Sequence, residues 1–328
     1  MKKSLLTSLC VASVCCFCFT ILICNPAVAV SEPNEAGVSE SVSDSVAPDS
    51  NEVRRKPAAE KQQVGIQLKA PDYDLGLLRH SFEFGPEYYR YIYKEPGDHE
   101  IKDTGDFFGG ILNYTYRWWV PASPNEPLSD TKGAFRAEFR YANGNADYDG
   151  FLTDGETYDP YEIQDITFDA FETRLMLGID DLEKNCLASL STGVGYRYST
   201  DDSSFDPYGY KRESNYIYIP IAYQLDCKFE NNWAWGLKLE ADILAWGEQK
   251  SYLSHVGDPD ITNRQRHGYG LRAAVSLQNK TKVGVFIVEP FIRYWNIDQS
   301  ESVYYSPYEY YEPKNNTTEY GVHILWRL

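Results

Sequence analysis

Trp233-Ala234-Trp235-Gly236-Leu237-Lys238-Leu239-Glu240-Ala241-Asp242-Ile243 alternates without interruption. Trp233, Trp235, Leu237, Leu239, Ala241 and Ile243 fall on one side of an extended chain, and Lys238, Glu240 and Asp242 on the other. A period of two is the period of a β-strand. The same pattern recurs on both sides of this stretch. Phe135, Ala137, Phe139 and Tyr141 alternate with Arg136, Glu138 and Arg140. Phe171, Thr173, Leu175, Leu177 and Ile179 alternate with Glu172, Arg174 and Met176. Tyr269, Leu271, Ala273, Val275 and Leu277 alternate with Gly270, Arg272 and Ser276.

About ten such strands are expected, starting near residues 80, 106, 133, 165, 186, 213, 232, 265, 283 and 317 and running on the order of 10–15 residues. Soluble β-sandwiches also alternate, but they rarely keep one face so continuously aromatic and aliphatic over so many strands. A membrane barrel inverts the arrangement, with apolar residues toward lipid and charges toward the lumen. The connections support this. Short joins at Asp180–Asn185, Lys228–Asn232 and Asn279–Lys282 alternate with long ones near 94–105, 143–164, 199–212, 248–264 and 297–316. Periplasmic turns and extracellular loops differ in the same way. The join Pro121–Lys132, with Pro121, Pro124 and Pro127, is too long for that scheme. The expected fold is therefore all-β: a transmembrane antiparallel up-and-down β-barrel of about ten strands over 78–328.

The composition agrees. The 328 residues include 27 Tyr, 23 Gly and only 2 Met, and the formal charge is −17. Such an acid excess argues against a nucleic-acid partner, because phosphate binding needs clustered positive charge. Lys2 and Lys3 precede an apolar run from Leu5 to Cys24, then Pro26 and Ala27-Val28-Ala29, the pattern of a secretory signal over 1–29. Residues 30–77 are poor in aromatics and rich in Ser, Glu, Pro and Ala, so a disordered periplasmic arm is expected. Five cysteines lie in the leader, leaving Cys186 and Cys227 in an exported chain. Antiparallel pairing across the 199–212 loop sets these two opposite each other near the periplasmic rim, so a cross-strand disulfide is expected, with two free thiols as the alternative.

Turning the charged face inward puts Glu83, Glu87, Glu138, Glu172, Asp226, Glu240, Asp242 and Glu289 in the lumen. Arg117, Arg136, Arg140, Arg174, Arg197, Lys238, Arg266, Arg272, Arg293 and Arg327 face them. Near-balance of sign in a narrow lumen predicts a salt-bridged plug, since charges held out of water need partners. A narrow small-solute pore is the alternative. The long loops are acidic and Tyr-rich, above all Tyr304, Tyr305, Tyr308, Tyr310 and Tyr311. These tyrosines fit either a contact surface for an extracellular ligand of unknown identity or an aromatic girdle at the lipid headgroups. No phosphate loop, nucleophile elbow or zinc spacing appears, so no cofactor or metal is expected.

The last strand carries Tyr320, Val322, Ile324, Trp326 and Leu328 on one face. It resembles the C-terminal signal that the barrel-assembly machinery of Gram-negative bacteria recognises, although that signal usually ends in Phe or Trp where this chain has Leu328. Gly195-Tyr196-Arg197-Tyr198, Glu289-Pro290-Phe291-Ile292-Arg293-Tyr294-Trp295 and Glu312-Pro313-Lys314-Asn315-Asn316 are similar to stretches of small outer-membrane β-barrel proteins whose activity is uncharacterised. The resemblance implies the outer membrane as location, with its lipid and lipopolysaccharide as surroundings, and brings no activity. Omptin endopeptidases share the ten-stranded size and carry an Asp pair in the second outer loop and an Asp–His pair in the fourth. Asp147 and Asp149 here lie in the second long loop, and His255 and Asp258 in the fourth, with the order of the last pair reversed. The main expectation is non-enzymatic, a barrel presenting acidic, Tyr-rich loops; the peptidase is a further alternative.

Overall fold

A computed structural model describes residues 78–97, 99–119, 131–153 and 157–328, with only the backbone at His255. The expected leader, the arm and most of the Pro121–Lys132 join lie outside the described residues. Ten long antiparallel strands form a closed barrel: β1 (His80–Glu95), β2 (Ile101–Trp119), β3 (Thr131–Thr153), β4 (Tyr158–Glu183), β5 (Cys186–Asp202), β6 (Lys211–Glu230), β7 (Trp233–Tyr252), β9 (Gly268–Thr281), β10 (Gly284–Ile297) and β13 (Asn315–Arg327). Three short strands belong to the loops: β8 (Ile261–Gln265), β11 (Val303–Tyr305) and β12 (Tyr308–Tyr310). Each long strand pairs with its sequence neighbours, and β1 closes the ring on β13 through Tyr88↔Val322 and Phe84↔Trp326. Closure leaves no unpaired sheet edge, the condition for β-structure in lipid.

Alternation sets the two faces. Phe139, Leu175, Leu177, Leu239, Leu271 and Val275 are exposed on the outside, whereas Arg136, Arg140, Glu172 and Asp242 are buried inside. The outward run Trp233–Ile243 is about 33 Å long along the strand; tilt reduces this to the roughly 25 Å apolar band of a membrane barrel. Aromatic residues rim the band. Tyr88, Phe108, Tyr141, Tyr269 and Tyr320 are exposed at one edge, and Trp118, Trp119, Trp233, Trp235 and Phe286 at the other. The exposed outward pair Arg90–Asp106, 2.8 Å apart, marks where the band ends on β1 and β2.

Seven of the ten long strands exceed the expected length. β3 runs 23 residues and β4 26, so much of the stretch read as a long loop is hairpin extending past the band. The ladder persists because both partners keep extended sequence. Its one irregularity, between Ala146 and Tyr148, coincides with Asp165 at φ 59°. That left-handed residue is supported by its neighbour across the ladder, because the Asp165 amide donates to Asp147 Oδ1 at 3.1 Å. At the opposite end Cys186 and Cys227 are direct register partners and form a disulfide, Cα–Cα 4.1 Å, on the lipid-facing side by alternation.

Candidate functional site

The lumen is filled in three levels. Nearest the short turns, Asp180 takes both Arg117 Nε at 2.6 Å and Arg136, while Arg327 Nε donates to Glu83 at 2.5 Å. Gln278 Nε2 donates to Asp226 at 2.6 Å. At the level of the band, Glu319 accepts from Arg140 at 3.0 Å, Arg197 at 2.9 Å and Arg293 at 2.9 Å. Glu87 takes Arg140, Arg293 at 2.9 Å and His323 at 3.1 Å. His323 reaches Glu289 with its other ring nitrogen, and Lys238 closes on Glu289 at 2.8 Å. Arg272 joins Glu172, Asp242 at 2.7 Å and Glu240 at 3.0 Å; Arg174 bridges Glu138 and Glu240.

These groups come from strands far apart in sequence and meet across the lumen, so the network spans the barrel as well as neighbouring strands. Glu319 on β13 holds Arg197 on β5 and Arg140 on β3. Within the band level lies a cavity of about 90 Å³ against Glu138, Arg174, Lys238 and His323, and two of about 40 Å³ lie elsewhere in the lumen. Each suffices for a few water molecules. One lumen assignment is corrected: Arg266 lies outside, its side chain 61% exposed and paired with Glu301 at 2.5 Å. The cause is a break in the ladder. β8 pairs with β7 only as far as Gln265, and β9 begins at Gly268, so alternation does not carry through residues 266 and 267.

The third level is the mouth beyond the band. Arg212 reaches Asp201 at 2.8 Å, Asp103 at 3.1 Å and Glu95 at 3.9 Å. Glu312, from the last loop, is buried beside them and accepts from the Tyr93 hydroxyl at 3.2 Å. None of these residues is among the lumen groups expected from alternation, because Asp103, Asp201 and Arg212 sit in stretches expected to be loops. Glu319 and Asp180 are also outside that expectation. Glu319 shares the parity of His323, which lies in the lumen beside Glu87, and Asp180 falls in an expected turn that the ladder overruns.

Three of the four residues of the peptidase alternative have described surroundings. Asp147 is engaged by the Asp165 amide, and Asp149 sits opposite Glu162 in the β3–β4 ladder. Burial, and then the charge and hydrogen bond of Asp258, push the Tyr310 phenol upward, and only the backbone of His255 is described. Tyr304, Tyr305, Tyr308 and Tyr311 are 74%, 59%, 62% and 49% exposed on and beside the β11–β12 hairpin, outside the main ladder. The second long loop packs on the third through Tyr161, whose hydroxyl donates to Asp206 at 2.7 Å; that bond pushes the phenol up to about 12. Tyr320, Val322, Ile324 and Trp326 lie in the closing strand, and the Leu328 amide returns to Phe82 O at 2.8 Å.

Fold and site together define a closed membrane-type β-barrel with an ion-paired interior. No protein-family model matches the sequence, and no curated protein matches it. Among solved structures, it is similar to the outer membrane protease OmpT from Escherichia coli (13% identity, 76% of this chain and 96% of that one, TM-score 0.44). It is also similar to Ail, the attachment invasion locus protein of Yersinia pestis (10%, 76% and 100%, TM-score 0.28), and to the translocator domain of autotransporter NalP from Neisseria meningitidis (10%, 74% and 88%, TM-score 0.31). At these scores the likenesses carry no argument about activity.

Proposed function

We propose that the chain is a non-enzymatic outer-membrane barrel whose lumen is braced shut and whose working surface is its set of acidic, Tyr-rich extracellular loops. Its partners on this reading are outer-membrane lipid and lipopolysaccharide around the band, the barrel-assembly machinery at the last strand during insertion, and an extracellular ligand at the loops. The observation that carries the closed lumen is the triple engagement of Glu319 by Arg140, Arg197 and Arg293. Those three arginines come from β3, β5 and β10, so the lumen is crossed at mid-band by groups whose separation would leave charges unpaired. A wide solute path does not need such matched charge. The exposed tyrosines supply large amphipathic area at small entropic cost, as contact surfaces do.

Planar-bilayer recording of the refolded protein tests this reading. The expected result is a quiet membrane without discrete conductance steps. Stable steps would replace the closed barrel with a narrow pore, and their ion selectivity would then report the sign of the charges lining it.

A further inference from the structure

The barrel mouth carries a larger excess of acid over cation than the described levels of the lumen below it. Among the described residues, Glu95, Asp103, Asp201 and Glu312 gather round the single guanidinium of Arg212. The next arginine below, Arg197, is already taken by Glu319 at 2.9 Å. One carboxylate oxygen of Asp103, a residue only 1% exposed, has no partner. Three of the four acids are on barrel strands β1, β2 and β5 and cannot leave. Glu312 is different, because it arrives on the loop 298–314.

That loop is folded back into the mouth. The Ser300 amide donates to Glu312 O at 3.0 Å, and the Glu312 amide donates to Ser300 Oγ at 2.8 Å. Asn263 Nδ2 donates to Glu301 O and Tyr310 O, both at 3.2 Å. The Glu312 carboxylate faces Tyr93 and Glu95 from β1, Arg212 and Tyr216 from β6, Gln249 from β7, and Tyr210 from the loop before β6. Asp103 and Asp201 stand behind Arg212, with Tyr91 and Tyr148 alongside.

We propose that Glu312 is an acid latch: protonated, it pins the 298–314 loop into the barrel mouth, and ionised, it loosens the loop and the tyrosine hairpin the loop carries.

The electrostatics set the sign. Burial, only partly offset by Arg212 and reinforced by Glu95, pushes the Glu312 carboxyl up from 4.5 to about 7. Burial does the same to Asp103, also up to about 7, against Arg212 and with Asp201 and Glu95 adding to it. A carboxyl whose value is raised in the closed loop favours closure fully below the open-loop value. That advantage shrinks from about pH 4.5 upward and is gone once the pH has passed about 7. Acid therefore closes the latch and mild alkali releases it. A single carboxyl shifted over this range changes the closure equilibrium by on the order of a hundredfold.

Hydrogen exchange read by mass spectrometry on the refolded full-length protein tests the latch, comparing wild type with Glu312→Gln at equal pH so that intrinsic exchange cancels. At pH 4 the peptides covering 298–314 should be equally protected in both. At pH 8.5 the wild type should exchange at least tenfold faster in these peptides, while Glu312→Gln stays protected. Equal exchange at both pH values overturns the latch. So does a Glu312→Gln loop that is already open at pH 4, which would mean that the hydrogen bonds of the carboxyl, rather than its charge, hold the loop. Should Glu312→Gln not fold, Asp103→Asn serves: loosening moved to higher pH supports the latch, and an unmoved profile overturns it. The readout is loop position, so it stands whether or not the lumen conducts.

Discussion

The lumen at the level of the band and the mouth above it are built from the same strands by the same alternation, yet they balance charge differently. In the band acids and cations nearly balance and several acids have more than one donor: Glu87 meets Arg140, Arg293 and His323, and Glu289 meets Lys238 and His323. At the mouth the ratio is reversed, and Asp103, Asp201 and Glu95 compete for one Arg212. Matched charge inside a membrane is a brace, because separating any pair strands both members where water is scarce. Unmatched charge at the edge of water is responsive, because a proton can relieve it. Position relative to the band decides which of the two a buried carboxylate becomes.

The largest effect should come from breaking the matched region. Glu319→Ala leaves Arg140, Arg197 and Arg293 without their shared acceptor, and removal of one partner of a buried charge pair costs about 3–5 kcal/mol. Urea unfolding in lipid vesicles should show a loss of that size. A loss too small to resolve would mean that the arginines are solvated rather than paired, and the contrast with the mouth would collapse. The outer face gives the next effect. Leu239 lies at the centre of the Trp233–Ile243 run, 46% exposed on the outside. Leu239→Arg should cost about 2–4 kcal/mol at mid-membrane. Tyr304→Arg, outside the band, should leave stability where it was. Equal tolerance of the two arginines would move the apolar band away from where the alternation puts it.

Much of this difference could be read in the sequence, and the parts that could not share a cause. Period-two patterning in 135–141, 171–179, 233–243 and 269–277 identifies which side chains point inward, because lipid demands an unbroken apolar face. The Cys186–Cys227 pair follows from counting residues across one hairpin, and the register agrees. Strand ends are another matter. Above the band neither face needs to be apolar, so the pattern fades while the ladder continues, as in 143–153 and 158–167. Asp103, Asp201 and Arg212 were lost in that fading zone. Arg266 was misplaced because alternation was extended through a break that only the partner strands reveal. The acid excess at the mouth was illegible for a further reason: Glu312 joins it through the path of a loop, and no local period encodes that path.

The smallest effect should come from an ion pair that resembles the lumen pairs in chemistry and differs only in place. Arg266 Nε and Glu301 Oε1 are 2.5 Å apart, but their side chains are 61% and 51% exposed. Water screens both charges, and two long side chains lose freedom to meet, so such pairs contribute little or nothing to stability. The loop they join is held independently, since the Glu301 amide donates to Arg264 O at 2.8 Å and Asn263 holds Glu301 O. Arg266→Ala should therefore leave the unfolding midpoint and the exchange of 298–314 unchanged at both low and high salt. A drop in stability that disappears at high salt would show the pair acting as a second clasp on the loop. The pH response of Glu312 would then have to be measured in the Arg266→Ala background, where this surface pair no longer contributes to holding the loop.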